Sequence, residues 1–207
     1  MSIKRQQASD QRRQRIIKAA TRLIAARADG NFTMQELAQE AEVSLATPYN
    51  LMGSKAAVLG LVFAHQIAGF TQAPAPAGAT VEQRLVTAVN RLVSAFARQP
   101  EFFRNLWRAL STLSPTEHKE LIIPVSDGLL QPLVQSLRND ALISEEVPTS
   151  LVTITLVRVF EALFEQWAAR EQDIDTLSNQ LCASLALCLL GIAHPESRPG
   201  LLQLTSQ

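Results

Sequence analysis

TMQELAQEAEVSLATPYNLMGSK, residues 33–55, is the stretch whose reading decides the fold. Thr33 followed by Glu36 has the spacing of a capping box, in which the hydroxyl accepts from the Glu36 backbone N–H and the carboxylate reaches back to the N-cap. A short helix to about Ala41 follows. Val43 and Ser44 break it, and Ser44 is a candidate N-cap for a second short helix carrying Pro48 and Tyr49. Gly53-Ser54 punctuates again, and Ser54 opens a longer helix with Leu59, Val62, Phe63 and Ile67 on its apolar side. Short helix, tight turn, short helix is the order of a helix-turn-helix, whose second helix sets its first residues in the DNA major groove while the first crosses the backbone. Two short helices that merely pack together would show the same order.

Pro48 fits the second short helix only near its start. With Ser44 as N-cap, proline in the first turn loses only the bond to the Ser44 carbonyl. It also biases Thr47 away from α geometry, so the helix is expected to start late or tight and to set how Thr47 and Tyr49 are presented.

Upstream, a first helix is expected from Ser9 to about Ala28, stopped by Asp29-Gly30-Asn31. Ile16, Ile17, Ala20, Leu23 and Ile24 share its apolar side. Arg12, Arg15, Lys18 and Arg22 form a basic stripe opposite, which on its own reads as a solvated face. Residues 1–55 hold nine basic and five acidic side chains, a surplus of four in a chain of formal net charge +0. Overall neutrality argues against a generic nucleic-acid or membrane coat, and the surplus is confined to the segment with the short helix pair.

Downstream, "APAPAGA" at 73–79 reads as a linker, followed by four or five long helices. Thr80 with Gln83 opens one to about Arg98, and Pro100 opens another through Trp107. Ser114-Pro115 with Glu117 opens a third, bent at Pro124 and near Pro132. Glu145 to Arg170 and Asp173 to Ala193 supply the last two. The tail with Pro195, Pro199 and Gly200 reads as poorly ordered over 195–207. The expectation is an all-α chain: a three-helix helix-turn-helix domain over 1–55, then a larger helical domain over 56–207. No repeat, low-complexity tract or strand is visible.

Cys182 and Cys188 lie six apart, about 240° around a helix, and read as small buried hydrophobes in a reducing compartment. No signal peptide or spanning segment is visible, so a cytoplasmic chain without a membrane partner is expected. An enzyme is the rival class. His65, His118 and His194 are scattered, no His or Cys pair has metal-ligand spacing, and neither a phosphate-binding glycine loop nor a nucleophile elbow occurs. Glu145-Glu146 suits a helix first turn. No catalytic residue, metal or cofactor is expected.

Residues 15–62 resemble the N-terminal domain of the TetR family of bacterial transcriptional regulators. The resemblance rests on Ile16-Ile17-x-Ala19-Ala20, Gly30 followed by Phe32 and Thr33, Glu36-Leu37-Ala38, Val43-Ser44, Thr47-x-Tyr49 and Ser54-Lys55. It covers about a quarter of the chain. It implies a homodimer that binds a palindromic operator, most often as a repressor, and releases it when a small molecule enters the C-terminal domain. Thr33, Tyr49 and Lys55 are placed at phosphates, Ser44, Leu45, Ala46 and Thr47 nearest the base edges, with Asn50 beside them. Four positions depart from the family pattern: Glu42 where glycine is frequent, Pro48 where an aliphatic residue is, Leu51 for histidine and Met52 for phenylalanine. Leu51 donates to no phosphate, whereas Met52 fills the same apolar slot.

The resemblance also implies a pocket in the second domain and a dimer interface on the last two long helices. His65, Phe103, Trp107, Phe160 and Phe164 are the ligand candidates, for an apolar or aromatic effector. Leu156, Val159, Leu163, Trp167, Leu185 and Leu189 are the interface candidates. The nearly all-round apolar run Leu181–Ile192 suits an interface or a monomer core equally. An all-helical interaction module that reads no DNA sequence is the alternative function.

Overall fold

The computed structural model describes residues 3–68 and 78–206, with side chains from Gln6 onward. Among them the chain forms α1 (Ile3–Ala26), α2 (Met34–Glu40), α3 (Ala46–Met52), α4 (Lys55–Ile67), α5 (Val81–Arg98), α6 (Pro100–Leu110) and α7 (Pro115–Glu117). A π-helical turn, His118–Ile122, leads into α8 (Ile123–Asn139), and α9 (Thr149–Ala168), α10 (Ile174–Leu190) and α11 (Arg198–Leu204) complete the order. The fold is all-α, as expected; β pairing among the described residues is confined to an isolated bridge between Ile143 and Ala193. No described helix is long and apolar enough to cross a membrane. Of the expected linker, residues 73–77 lie outside the described residues.

The chain divides into two units, residues 1–66 with 101–125, and residues 67–100 with 126–207. The partition differs from the expected boundary at residue 55, since nearly all of α4 and residues 101–125 sort with the first three helices. Local signals mark where helices start and stop. They do not say which helices share a core.

In the first unit, Ile16, Ala20 and Ile24 recur at i, i+4 on α1 and are fully buried, with Leu37, Leu59 and Leu106 equally buried from α2, α4 and α6. Each large aliphatic side chain so buried contributes about 1.5–3 kcal/mol. Ser9, the expected cap, lies inside α1, which begins at Ile3. At the other end α6 supplies what the helix terminus lacks: Asn105 Nδ2 donates to the Ile24 carbonyl at 3.3 Å and Arg108 to the Ala28 carbonyl at 2.7 Å. Carbonyls at a helix end have no partner within the helix. Gly30 follows in the left-handed region at φ 63°, and a Cβ there would stand 2.1 Å from the Asn105 carbonyl oxygen.

The expected bend at Pro124 is the π-helical turn. Proline has no N–H for the i−4 carbonyl, and the Ile123 N–H reaches back five residues to the His118 carbonyl; an inserted π turn is a common answer to such a break.

In the second unit, Thr80 and Gln83 form the expected capping box and α5 ends at Arg98. The buried Arg84 donates to the Ala79 carbonyl (2.9 Å), the Ser136 carbonyl (3.3 Å) and the Ser136 hydroxyl, and pairs with Asp140. The tail is corrected. Residues 198–204 form α11, with Leu201 and Leu204 buried. Pro199 lies in the first turn of that helix, where proline is tolerated, so the Pro and Gly there do not act as breakers. Cys182 and Cys188 are half-buried free thiols whose pKa is raised by that burial.

Candidate nucleic-acid interface

α2 is held at its end by Arg22 of α1 and at its start by Arg27, one residue past the end of α1. At its start the predicted capping box is present: the Thr33 N–H and hydroxyl donate to Glu36 Oε2 at 2.7 and 2.9 Å, and the Glu36 N–H donates to Thr33 Oγ1 at 3.2 Å. The Arg27 guanidinium grips the same carboxylate through both terminal nitrogens, at 2.5 and 3.1 Å, and also donates to the Asn31 carbonyl at 2.9 Å. At its end Arg22 donates to Glu40 Oε1 at 2.6 Å and to the Glu40 carbonyl at 3.2 Å. Arg22 of α1 and Arg27, one residue past its end, are thus tied to α2. Sequence reading missed both pairs.

The Glu36 carboxyl is held down to about 2 from an ordinary 4.5, first by the Arg27 hydrogen bond and then by the Thr33 N–H and hydroxyl. A carboxyl depressed in the folded state adds stability that is fully present above its unfolded pKa and is lost as pH falls through the folded one. Glu36→Gln is therefore expected to reduce the acid-side fall in thermal stability between about pH 5 and pH 2. Glu117, lowered by its bonds with Ser114, stays in that variant, so the slope shrinks without vanishing. Melting followed against pH checks this, and an unchanged slope would count against it.

The turn keeps its geometry without glycine. Glu42 adopts φ 54°, its N–H bonding the Gln39 carbonyl and the Val43 N–H the Ala38 carbonyl, both at 3.0 Å. This is the paired closure of a helix C-terminus that glycine favours, and a residue with a Cβ adopts it at a cost of about 1 kcal/mol.

α3 starts differently from the expectation. Leu45, in helical geometry and without a side-chain cap bond, is the N-cap, and Ser44 Oγ lies 2.8 Å from Thr47 Oγ1 instead of capping a backbone N–H. The Ser44 carbonyl, left open by Pro48, takes the Thr47 N–H at 2.9 Å, the tight i−3 start that proline in the first turn favours. Pro48 is itself buried with Met52. Opposite them, Leu45 and Tyr49 are 52% and 50% exposed, and Ser44, Ala46 and Asn50 are exposed as well. Thr47 and Leu51 are half-buried.

Ser54 Oγ accepts the Ala57 N–H at 3.1 Å and so opens α4. Lys55 donates to Asn31 Oδ1 and stands 5.3 Å from the centroid of the Phe32 ring. Partial burial lowers its pKa, against the opposing pull of Asp29 and Glu36. Thr33 and Lys55 thus both border the Asn31–Phe32 turn.

The ligand and interface candidates fare differently. His65 is exposed on α4, and Phe103 and Trp107 are buried in the first unit, the Phe103 ring edge-on to Phe102 at 5.4 Å. Phe160 and Phe164 are buried in the second unit. A groove of about 960 Å³ in the second unit is lined by Thr80, Glu82, Arg84, Asp140, His194 and Ser197, and by none of the five candidates. Among the interface candidates, Leu156, Trp167, Leu185 and Leu189 are buried within the protomer, which takes them off any surface a partner could cover. Val159 and Leu163 remain half-exposed, and Leu151 and Leu187 are the large apolar side chains exposed on α9 and α10. Period 3.6 marks apolar faces; it does not say which one turns inward. Among the described residues no group of three or more His, Cys, Asp or Glu could hold a metal ion.

No protein-family model and no curated protein matches the sequence. Solved structures do resemble this one. A TetR transcriptional regulator from Rhodococcus sp. RHA1 has a TM-score of 0.70 at 19% identity, over 89% of this chain and 98% of its own. FadR of Thermus thermophilus, a TetR-family transcriptional repressor in complex with lauroyl-CoA, has 0.71 at 23% identity, over 88% and 95%. The R. erythropolis transcriptional repressor QsdR, also of the TetR family, has 0.61 at 21% identity, over 89% and 97%. With its helix-turn-helix and its second helical unit, the chain has the fold of the TetR-family transcriptional regulators.

Proposed function

We propose that the chain is a ligand-responsive transcriptional regulator, a repressor, which binds a palindromic operator as a homodimer through α2 and α3. The observation that carries this is the two-sided character of α3: Pro48 and Met52 are buried while Leu45, Ala46, Tyr49 and Asn50 are turned out. A helix that only packed would have little reason to expose Leu45 and Tyr49. Backbone N–H groups at the starts of α2 and α4, with the Thr33 hydroxyl, Tyr49 and Lys55, suit phosphate, and Ser44 to Thr47 with Asn50 suit base edges. This end of α3 holds no arginine or lysine for guanine and no carboxylate for cytosine. The Leu45 and Ala46 methyls suit thymine and Asn50 suits adenine, so contacted positions should be weighted to A·T.

The effector reading is an apolar or aromatic small molecule received by the second unit, where the Ser126 and Thr153 hydroxyls are buried without a hydrogen-bond partner among the described residues. Such groups favour a polar contact that a ligand or water supplies. The dimer reading turns to the outer sides of α9 and α10, at Leu151, Val159, Leu163 and Leu187.

Selection of bound duplexes from a random library tests the function. An inverted repeat with A·T-weighted half-sites about one helical turn or more apart is expected. Tyr49→Ala should lower affinity for the recovered site about tenfold or more, on the scale of 1–3 kcal/mol per good contact in each half-site. Recovery without sequence preference favours the interaction module.

A further inference from the structure

We propose that the groove of the second unit is a binding site for a small organic amine, a ligand of a different class from the apolar or aromatic effector. This goes beyond the regulator reading and does not depend on it. The groove is formed by the start of α5, the turn after α8 and residues from 194 to 203. Its volume of about 960 Å³ lies in the range of small-molecule sites, about 300–1,000 Å³.

Backbone bonds tie its walls together. The Ser144 N–H donates to the Ile192 carbonyl at 2.7 Å, the His194 N–H to the Leu142 carbonyl at 3.2 Å, and the Ser197 N–H to the His194 carbonyl at 2.9 Å. A wall already held in this way loses little freedom when a ligand arrives.

Charge and hydrogen-bonding capacity identify the occupant. Arg84, the guanidinium in the lining, is 5% exposed and is matched by Asp140, Ser136 and the Ala79 carbonyl. Glu82 and Glu196 line the same groove and make no ion pair or hydrogen bond among the described residues. The Glu82 carboxylate is seated against α11: a Cβ on Gly200 would stand 2.1 Å from its Oε2 and 2.4 Å from its Cδ. Glycine at that position leaves the room that the carboxylate occupies.

Ser197 is the independent sign of a ligand. It is 8% exposed and lines the groove, yet its hydroxyl makes no hydrogen bond among the described residues. Unlike the Ser126 and Thr153 hydroxyls it is not sealed off, so its open side is the groove. A hydroxyl so nearly buried calls for a partner. Ionised carboxylates only accept, and a hydroxyl can accept as well. An ammonium group satisfies such a set, since it donates three hydrogen bonds and carries the opposite charge. An anion would meet two uncompensated carboxylates and an arginine already engaged. A metal ion lacks a ligand set, since among the described residues no group of three or more His, Cys, Asp or Glu could hold one.

The test titrates the full chain, without DNA, with putrescine and then spermidine by calorimetry, and with butanediol of putrescine's chain length as the uncharged counterpart. Saturable binding of an amine and none of the diol is expected. Glu82→Gln and Glu196→Gln should each weaken it about tenfold or more, the loss of one charge-assisted hydrogen bond. Gly200→Ala leaves every other lining side chain unchanged. Its Cβ displaces the Glu82 carboxylate while alanine suits the helix, so amine affinity should fall and the melting temperature should not. No binding of either amine at millimolar concentration, equal binding of the diol, or affinity unchanged in both glutamine variants overturns the proposal. None of these outcomes touches the DNA reading, which the duplex selection tests separately.

Discussion

Gly30→Ala is expected to destabilise the first unit by about 2–5 kcal/mol, the sum of a backbone and a packing cost. At φ 63° an alanine costs about 1 kcal/mol for left-handed geometry. The packing cost is larger, because the new Cβ would stand 2.1 Å from the Asn105 carbonyl oxygen and 3.3 Å from the Ala109 Cβ. The obstacle is backbone inside α6, and α6 is anchored here by the bonds from Asn105 and Arg108 to the end of α1. No side chain can swing away to relieve the overlap. Gly53→Ala is the comparison: nothing lies within 4 Å of its Cβ, so only a backbone cost is expected, about 1–3 kcal/mol because φ 86° with ψ −71° lies outside the left-handed helical region. Urea unfolding of both variants separates the two costs. A loss of about 1 kcal/mol or less for Gly30→Ala would show that α6 does not approach Gly30 this closely. The segment Asn31–Thr33 follows directly, so the same variant should also weaken operator binding by loosening the start of α2.

Phe96→Ala should cost the second unit about 3–5 kcal/mol, the usual range for deleting a fully buried aromatic ring. Phe96 is fully buried and touches three other rings: Phe164 edge-on at 4.6 Å, Trp167 stacked at 5.9 Å and Phe160 stacked at 6.3 Å. The cavity left behind is bounded by rigid rings on α9, which collapse poorly into it. Phe96→Leu keeps most of the volume and should lose much less, about 1.5 kcal/mol or under. Denaturant unfolding gives the stability, and the near-ultraviolet circular dichroism of Trp167 reports whether the cluster has loosened. A loss below about 1 kcal/mol for the alanine variant would mean that the rings do not pack as a unit.

Much of the helical order was legible in local sequence because its causes are local. Thr33-Glu36, Thr80-Gln83 and Ser114-Glu117 each place a hydroxyl and a carboxylate or amide three residues apart, and each forms the reciprocal cap. Asp173 caps α10 at the expected residue through the Thr176 N–H at 2.7 Å. Pro48 belongs in the first turn of α3 for a reason that needs only the missing N–H. Where local signals misled, another contact had overridden them. The Ser44 hydroxyl goes to Thr47, and the Pro-Gly run near the C-terminus becomes helix because Leu201 and Leu204 find a core.

By itself the sequence determined the all-α class, the helix-turn-helix, the place of Pro48 in α3 and the glycine turn that follows α1, since caps, prolines and apolar periodicity act within one or two turns of chain. Tertiary structure alone decided the rest. It brought Asn105 to the Ile24 carbonyl across 81 residues, paired Arg27 with Glu36, and sent Leu156, Trp167, Leu185 and Leu189 into the protomer core. Each of these depends on which helix lies beside which. Spacing along one chain does not encode that neighbour, because several packings bury the same apolar stripe and only the summed fit of side chains selects among them.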